Sequence, residues 1–401
     1  MSEWPLIALG EVTTQSRESV KVDRSTQYPM LGVRWYSQGA FHRETTTPKA
    51  STIYRAKGGQ FIYNRLFAWK GSFTLVPPDL DGSYVSNEFP VFDCNRERLL
   101  PEYLNYYFTQ PAIWEQIGRV STGTTASRSR WNEAKFSEYE IPLPPVVQQR
   151  RIVTLVAAVD AQIAALDNEL HSAREVLKRI VSQLLDHLPT TTPYGSVAVT
   201  RSGPSWSAAD ESKTPTSGSL RVVKITNTKD GGVFDMTDET YVTGLPDSTT
   251  KLDEASLIII RTNGNRNRIG NVYRPDASAV GCAVSAFQFI SQAINPADRD
   301  FLYWTLADPS MQQRMSEAAS GTTGLGNLAV RWLNAVEIPW SDDPAERSAI
   351  SSSADAAERT VIRLGDELEH LRSVRTDLLD ALLSQQITVD EAVDQFIEPA
   401  A

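Results

Sequence analysis

The sequence predicts an α+β chain: two divergent α+β domains separated by two long helices, which pair as an antiparallel coiled coil with pseudo-two-fold symmetry. Three observations carry this reading. A weak internal repeat runs through the chain, an apolar seam at coiled-coil spacing follows each copy, and each copy mixes short strand-like runs with helical patterns. At 401 residues, 41% of them apolar, the chain is long enough for two cores and the elements that connect them.

The repeat lies about two hundred residues apart. Thr122 to Thr125 (TGTT) returns as Ser320 to Thr323 (SGTT), and Phe136 to Pro142 (FSEYEIP) returns as Leu333 to Pro339 (LNAVEIP) at an offset of 197. Tyr103, Leu104, Tyr107 and Trp114 correspond to Phe301, Leu302, Thr305 and Gln312. Phe61 to Arg65 (FIYNR) parallels Leu257 to Arg261 (LIIIR), and Val85-Ser86 parallels Val284-Ser285.

Each copy ends in a helical seam. In the first it runs Ile152, Leu155, Val159, Ile163, Leu166, Leu170, Ala173, Leu177, Ile180, Leu184; in the second Ile350, Ala354, Ala357, Val361, Leu364, Leu368, Leu371, Leu378, Leu382. Pro144 and Pro145 forbid an earlier start to the first helix, and Asp343, Pro344 and Glu346 suit N-cap, N1 and N3 of a capping box at the second. An amphipathic stripe must be buried, and two on one chain most simply bury each other. With a domain between them the pair is antiparallel. Gln148 to Leu188 would span roughly 60 Å at ~1.5 Å per residue, with the domains at opposite ends of a rod.

Inside the copies, Phe61 to Tyr63 and Leu257 to Ile260 read as strands, with turns at Gly58-Gly59 and Gly231-Gly232. Helices are expected around Pro101 to Arg119 and Asp300 to Ala319. Tyr103, Tyr106, Tyr107 and Trp114 have helical spacing and read as core. Thr190 to Ser219, rich in Thr, Ser, Pro and Gly, reads as a partly mobile domain boundary. The expected division is 1–140 and 191–337 for the domains, 141–190 and 338–388 for the helices, and 389–401 for a tail.

The net charge of −10 at first opposes a nucleic-acid partner, but its distribution removes the objection. Residues 1–140 carry 16 basic and 15 acidic side chains and 189–337 carry 13 and 15, whereas 338–401 carry 5 and 14. Either domain is free to present a basic face. No basic run precedes an apolar stretch and no eighteen apolar residues are consecutive, so a cytoplasmic protein without membrane attachment is expected. Cys94 and Cys282 lack neighbours at metal-ligand spacing and read as small buried hydrophobes.

Catalytic constellations are missing. There is no GxxxxGK[ST] loop and no Gly-rich dinucleotide fingerprint after a strand, and Asn295-Pro296 leads into Ala297 rather than the aromatic of an adenine methyltransferase signature. His171, His187 and His370 fall in the helices as solvated or interfacial positions.

What remains is a set of Arg, Lys and Asn residues at turns beside the strands, suited to forked contacts with guanine and adenine edges. Arg261, Asn263, Arg266 and Arg268, with Asn265 and Asn267, form the densest group. The corresponding turn of the first copy holds Asn64, Arg65, Trp69, Lys70 and Ser72, with Gly71 allowing close backbone approach. Arg34 and Lys224 are further basic candidates. Thr124 and Thr322, in the TGTT and SGTT segments, with Arg128 and Arg130 after the first, suit phosphate. The plainer alternatives are hydrophilic hairpin turns and ordinary helix starts.

Two divergent domains, TGTT or SGTT, an Ile-Pro segment and then a long helix resemble the specificity subunit of type I restriction-modification enzymes. The resemblance spans nearly the whole chain. It is strongest at Glu140 to Ile152 (EIPLPPVVQQRRI), like the entrance to that family's first conserved helical region, and at Leu378 to Thr388 (LLDALLSQQIT), like the end of its second. The second entrance, Ile338 to Asp343, lacks the double proline and the glutamines.

The resemblance implies a non-catalytic reader of an asymmetric, two-part double-stranded DNA target, with each target-recognition domain reading one half. Its helices would dock two modification (methyltransferase) subunits, and restriction (motor and nuclease) subunits would join. S-adenosylmethionine, ATP and magnesium would serve those partners, and this chain would need no cofactor. The alternatives are a coiled-coil protein-interaction scaffold without DNA binding, marked by exposed apolar patches in place of basic turns, and an enzyme of another kind.

Overall fold

The computed structural model describes residues 4–43, 46–121, 130–321 and 325–389. Thr124, Arg128 and Thr322 therefore lie outside the described residues. Residues 1–166 and 367–401 form one unit and residues 167–366 the other. Part of each long helix belongs to each unit.

In the first unit an antiparallel four-stranded sheet runs in the order Thr13–Ser16, Val91–Cys94, Phe61–Tyr63, Phe73–Leu75. The second unit repeats that order with Ala198–Ser202, Gln288–Ala293, Ser256–Ile260 and Val272–Tyr273. Aromatic and β-branched side chains make these strands and fill the space behind them. Phe61, Tyr63, Phe73, Phe92, Phe108, Trp131 and Phe136 form one buried aromatic core in the first unit. Leu257, Ile259, Phe289, Phe301 and Leu302 belong to its counterpart in the second. Smaller sheets differ between the units. The first has Ser19–Lys21, Thr52–Arg55 and Tyr84–Val85 with a hairpin, Leu31–Val33 and Ala40–His42. The second has a four-stranded sheet with one parallel pair, Leu220–Val223 beside Ala283–Val284.

Proline at the first helical position starts the helices Pro101–Tyr107, Pro111–Val120 and Pro309–Ala318 and the second long helix, Pro344–Leu383. Arg299–Ala307 occupies the place of Pro101–Tyr107 in the second unit. Of Thr190 to Ser219, expected as a partly mobile domain boundary, the first part supplies regular structure. Thr190–Pro193 pairs with Glu337–Trp340, and Ala198–Ser202 is the outer strand of the four-stranded sheet. Its small polar residues suit an edge strand, where only one side of the backbone must be paired.

The long helices, Val146–Asp186 and Pro344–Leu383, pack together and run antiparallel. Ile152 and Val156 share the first unit's core with Leu379, Leu382 and Leu383, while Val181 and Leu185 share the second's with Ile350 and Ala354. The seam departs from the expected one toward its ends. Val156, Val181, Leu185, Leu379 and Leu383 are buried, whereas Leu155, Ile180, Leu184 and Leu378 are only half-buried. There each helix faces a globular core as well as its partner, and the wider apolar face needs positions beyond a strict a/d seam.

One buried polar side chain ties the start of each long helix to its unit. Gln149 is fully buried, donates to the carbonyls of Arg98 (2.7 Å) and Pro144 (2.8 Å), and accepts from the Leu100 amide (2.8 Å). That amide stands immediately ahead of Pro101–Tyr107 and lacks an intrahelical acceptor. In the second unit, 198 positions on, the corresponding residue is Arg347, only 5% exposed. It grips both carboxylate oxygens of Asp298 (2.8 and 3.1 Å), donates to the Ser341 carbonyl (2.6 Å) and lies over the Trp340 ring. Asp298 precedes Arg299–Ala307 as Leu100 precedes Pro101–Tyr107, so an arginine performs at the second entrance what a glutamine performs at the first.

The capping box expected there is also altered. Asp343 accepts from the Ala345 amide (2.9 Å), but Glu346 accepts from the Ser341 hydroxyl, and that hydroxyl accepts from the Asp343 amide (3.2 Å). The carboxylate thus reaches the Asp343 backbone through Ser341 rather than directly.

A second tie also recurs. Tyr106 donates its hydroxyl to Asp160 of the first long helix (2.9 Å), and Trp304 donates its indole N–H to Asp355 of the second (2.8 Å). Each carboxylate also takes an arginine, Arg375 on Asp160 (2.7 Å) and Arg274 on Asp355 (2.6 Å). Tyr103 and Tyr107 are core, as their spacing predicts, whereas Tyr106 and Trp114 are half-buried with their polar tips engaged.

Trp114 donates to the Phe108 carbonyl (2.6 Å), and its counterpart Gln312 donates to the Leu306 carbonyl (2.6 Å) and to the Gly270 carbonyl (2.9 Å). The indole explains Gly71. This glycine is left-handed at φ 67°, and a Cβ there would lie 2.3 Å from the Trp114 ring, so the close approach it permits is made by the protein's own helix.

Two stability predictions follow from this packing. Gly71→Ala combines a left-handed backbone with an immovable neighbour and should cost about 2 to 4 kcal/mol. Gly39, at φ 82° with open space around it, should lose only about 1 kcal/mol as alanine. Comparable drops in thermal midpoint for the two would refute the packing explanation. Gln149→Leu should lower the denaturation midpoint by the equivalent of about 3 kcal/mol, because three buried backbone groups lose their partner. A midpoint equal to that of the unaltered chain would show that the tie contributes nothing.

Candidate nucleic-acid interface

Beyond Phe61–Tyr63 and Ser256–Ile260 each chain turns outward at an arginine held by the same backbone bonds. The Arg65 amide donates to the Glu88 carbonyl (2.9 Å), and the Trp131 amide donates to the Arg65 carbonyl (3.1 Å). The Arg261 amide donates to the Phe287 carbonyl (2.8 Å), and the Leu328 amide donates to the Arg261 carbonyl (2.9 Å). The matching of these arginines in the repeat is thus a matching of place.

Their side chains differ in company. Arg65 is 13% exposed, pairs with Glu133 (3.3 Å) and donates to the Asn87 carbonyl. Glu133 also takes Arg17 (3.8 Å) and the Gln15 amide (3.3 Å), and Arg130 forms a two-pronged contact with Glu88 (3.0 and 3.3 Å). Arg130 is held more firmly protonated by that carboxylate. Arg261 instead donates to the Ser202 hydroxyl (3.2 Å) and lies over the Phe289 ring, and among the described residues no carboxylate pairs with it.

The other arginines of the second turn are engaged with backbone carbonyls of segments packed against it. Arg266 donates to the Ala319 carbonyl and Arg268 to the Thr228 carbonyl. The Asn263 side chain accepts from the Asn265 amide (2.9 Å), and the Asn265 side chain from the Asn267 amide (3.1 Å). Lys224 pairs with Glu211 (2.7 Å), whose carboxyl is held below its ordinary range chiefly by that lysine.

Two candidates of the first unit are withdrawn from solvent. Ser72 is fully buried and donates to the Val33 carbonyl (3.1 Å). Asn64 is 8% exposed and accepts from the Leu66 amide (3.0 Å). Both hold the turn in shape, a use open to any Asn or Ser near a tight turn, and in this conformation neither can touch DNA.

The turn presents a projecting tip that sequence reasoning missed. Trp35 and Tyr36, 41% and 57% exposed, follow Leu31–Val33, and Tyr36 and Ser37 both have left-handed backbones at φ 55° and 52°. Their amides donate to the carbonyls of Lys70 and Gly71 (2.7 Å each), which fixes the tip against Ala68–Lys70. The Lys70 ammonium lies 3.8 Å from the Trp35 ring centre and 5.0 Å from that of Trp69. Trp69 donates its N–H to the Leu66 carbonyl (3.1 Å), and Arg34 stacks over Phe41 and donates to the Ala40 carbonyl (3.0 Å). The sequence signal was the pair of aromatics beside Arg34. Two consecutive left-handed residues other than glycine mark stored backbone strain, a common sign of function.

Among the described residues no three His, Cys, Asp or Glu side chains stand together as a metal site, and His171, His187 and His370 are exposed. No helix among them is long and apolar enough to cross a membrane. Cys282 lies in a core cluster, and burial pushes the Cys94 thiol up to about 12. Cys94 in the folded chain should therefore react with a thiol reagent at pH 8 at least a hundredfold more slowly than in the unfolded chain. Equal rates in the two states would show that its burial does not govern reactivity.

Residues 1–172 match the sequence model of the type I restriction modification DNA specificity domain. No curated protein matches the chain. A structure described as showing complex assembly and conformational transition of the type I R-M system contains a similar chain. It has 18% identity and a TM-score of 0.59 over 96% of this chain and 98% of that one. The type I restriction-modification S subunit from M. genitalium is 13% identical, with a TM-score of 0.52 over 95% and 96% of the two chains. Residues 1–172 are thus similar to the type I restriction modification DNA specificity domain, and the chain shares its fold with the M. genitalium S subunit.

Proposed function

We propose that this chain is the DNA-recognition subunit of a restriction-modification enzyme and reads an asymmetric, two-part sequence, one half with each unit. The observation that carries this reading is the repeat of one backbone plan with different side chains at matching places. Arg65 and Arg261 leave the same strand by the same hydrogen bonds, yet face Glu133 in one unit and Ser202 in the other. Identical readers would suit a repeated half-site, and readers on one plan with different surfaces suit two different halves. The match of residues 1–172 to a DNA specificity domain supports the assignment to DNA.

In this reading Arg261 contacts DNA from the second unit, on a turn held in shape by Arg266, Arg268 and Asn263, and Lys224 is a further candidate. Arg65, Arg130, Lys70, Trp69 and Arg34 serve the first, with Trp35 and Tyr36 added by their projection. Thr124, Arg128 and Thr322 keep the phosphate role proposed from their sequence. The long helices dock the modification and restriction subunits. Methyl transfer from S-adenosylmethionine and ATP-driven cleavage belong to those partners, in the cytoplasm, and this chain carries no catalytic centre.

Two experiments test the assignment. The purified chain should transfer no methyl group from labelled S-adenosylmethionine to DNA until a modification subunit is added, and transfer by the chain alone would overturn the non-catalytic reading. Once a target has been selected from a random library, Arg261→Ala should weaken binding by about 1 to 3 kcal/mol. The loss of discrimination should be confined to one half of the target. Equal relaxation of both halves would contradict the division of labour between the units.

A further inference from the structure

Four matched positions, the arginine and three neighbours, make up this corner of each unit. The first unit has Arg17, Arg65, Glu88 and Glu133 at these places. Strand register and backbone bonds set Ser202 at the place of Arg17, Arg261 at that of Arg65 and Phe287 at that of Glu88. The repeat offset sets Val330 at the place of Glu133. The two acids of the first unit thus correspond to apolar side chains in the second, and both of those are exposed, Phe287 by 50% and Val330 by 37%.

The acids are well placed to occupy the arginines. Glu133 takes Arg65 and Arg17, and Glu88 takes two N–H groups of Arg130, the fork that a phosphate or a guanine edge would otherwise receive. The more open Arg130–Glu88 and Arg17–Glu133 contacts are weak enough to exchange, such pairs being worth about 0 to 1 kcal/mol when exposed, whereas the Arg65–Glu133 pair is more enclosed and held more firmly. While they last, the carboxylates repel phosphate and reduce the cations available to it.

Resting on the DNA-reading assignment above, we propose that Glu88 and Glu133 are internal competitors for the reading arginines of the first unit. They suppress its binding to arbitrary DNA and yield the arginines only to a fitting half-site. The second unit has no such restraint at the matched positions and supplies most of the non-specific attraction. The two acids are positioning residues, since they act through Arg65, Arg17 and Arg130.

The test uses the full-length chain and a random-sequence DNA duplex, titrated over a range of salt. Glu88→Gln with Glu133→Gln should raise affinity about tenfold at low salt, and steepen the slope of log K against log salt by about 1 to 2, one unit per freed phosphate contact. The reciprocal change, Phe287→Glu with Val330→Glu, places acids at two exposed positions of the second unit and should lower affinity and flatten the slope. A merely structural role for the acids would not move the salt slope. Wild-type binding with a slope that neither pair alters, or weaker binding by the glutamine pair, would overturn the competitor role alone. A wild-type chain that binds no duplex at any salt would overturn the DNA assignment together with it.

Discussion

Each long helix begins against a globular unit, and its first turn must meet backbone groups of that unit that are sealed from water. A buried amide or carbonyl without a partner costs about 1 to 3 kcal/mol, so the junction needs a polar side chain of the right reach. Gln149 supplies it in one unit and Arg347 in the other. Glutamine can both donate and accept and therefore bonds an amide and two carbonyls without any charge. Arginine can only donate, so its junction requires an acceptor in place of the amide, and Asp298 is that acceptor. A charge buried at one entrance is thus matched by an opposite charge at the helix it secures. This junction ties the first turn of each long helix to its own unit.

The same economy governs the turns that bear the candidate DNA contacts. A cluster such as Arg261 to Arg268 looks on composition like a set of free hands, but the turn must be tied to the carbonyls of neighbouring segments and must satisfy its own amides. Arg266 and Arg268 meet the first need, and the side chains of Asn263 and Asn265 the second. In the first unit Ser72 and Asn64 are drawn inward for the same reason. The surface that remains is sparser and more particular: an arginine over Phe289 in one unit, and in the other a tip of Trp35 and Tyr36 fixed against Lys70 and Gly71, together with arginines already held by acids. A rigid aromatic tip contributes contact area at little conformational cost, a useful property in a reader of base edges.

Much of the architecture was legible in the sequence because it rests on periodicity. The apolar seams, the prolines that open helices and the repeat of FIYNR as LIIIR each express a local rule, and the four-stranded sheets and paired helices obey them. The seam failed at its ends, where Val156, Val181, Leu185 and Leu379 are buried beyond the expected stripe. A heptad describes one neighbouring helix, and there each helix has a globular core to cover as well. The strands Thr190–Pro193 and Ala198–Ser202 within the polar stretch Thr190 to Ser219 were not foreseen, because composition does not reveal whether a backbone has a strand to pair with.

By itself, then, the sequence determined two copies of one plan, the long helices that follow them and the arginines at matched turns. Tertiary structure decided what those arginines touch. Arg65 meets Glu133 and Arg130 meets Glu88 across segments far apart in the chain, and Arg261 meets Ser202 instead. The last of these depends on strand register, in which a slip of one residue turns a side chain to the opposite face, and the first depends on where the helix Glu133–Glu138 docks; no local pattern of residues specifies either.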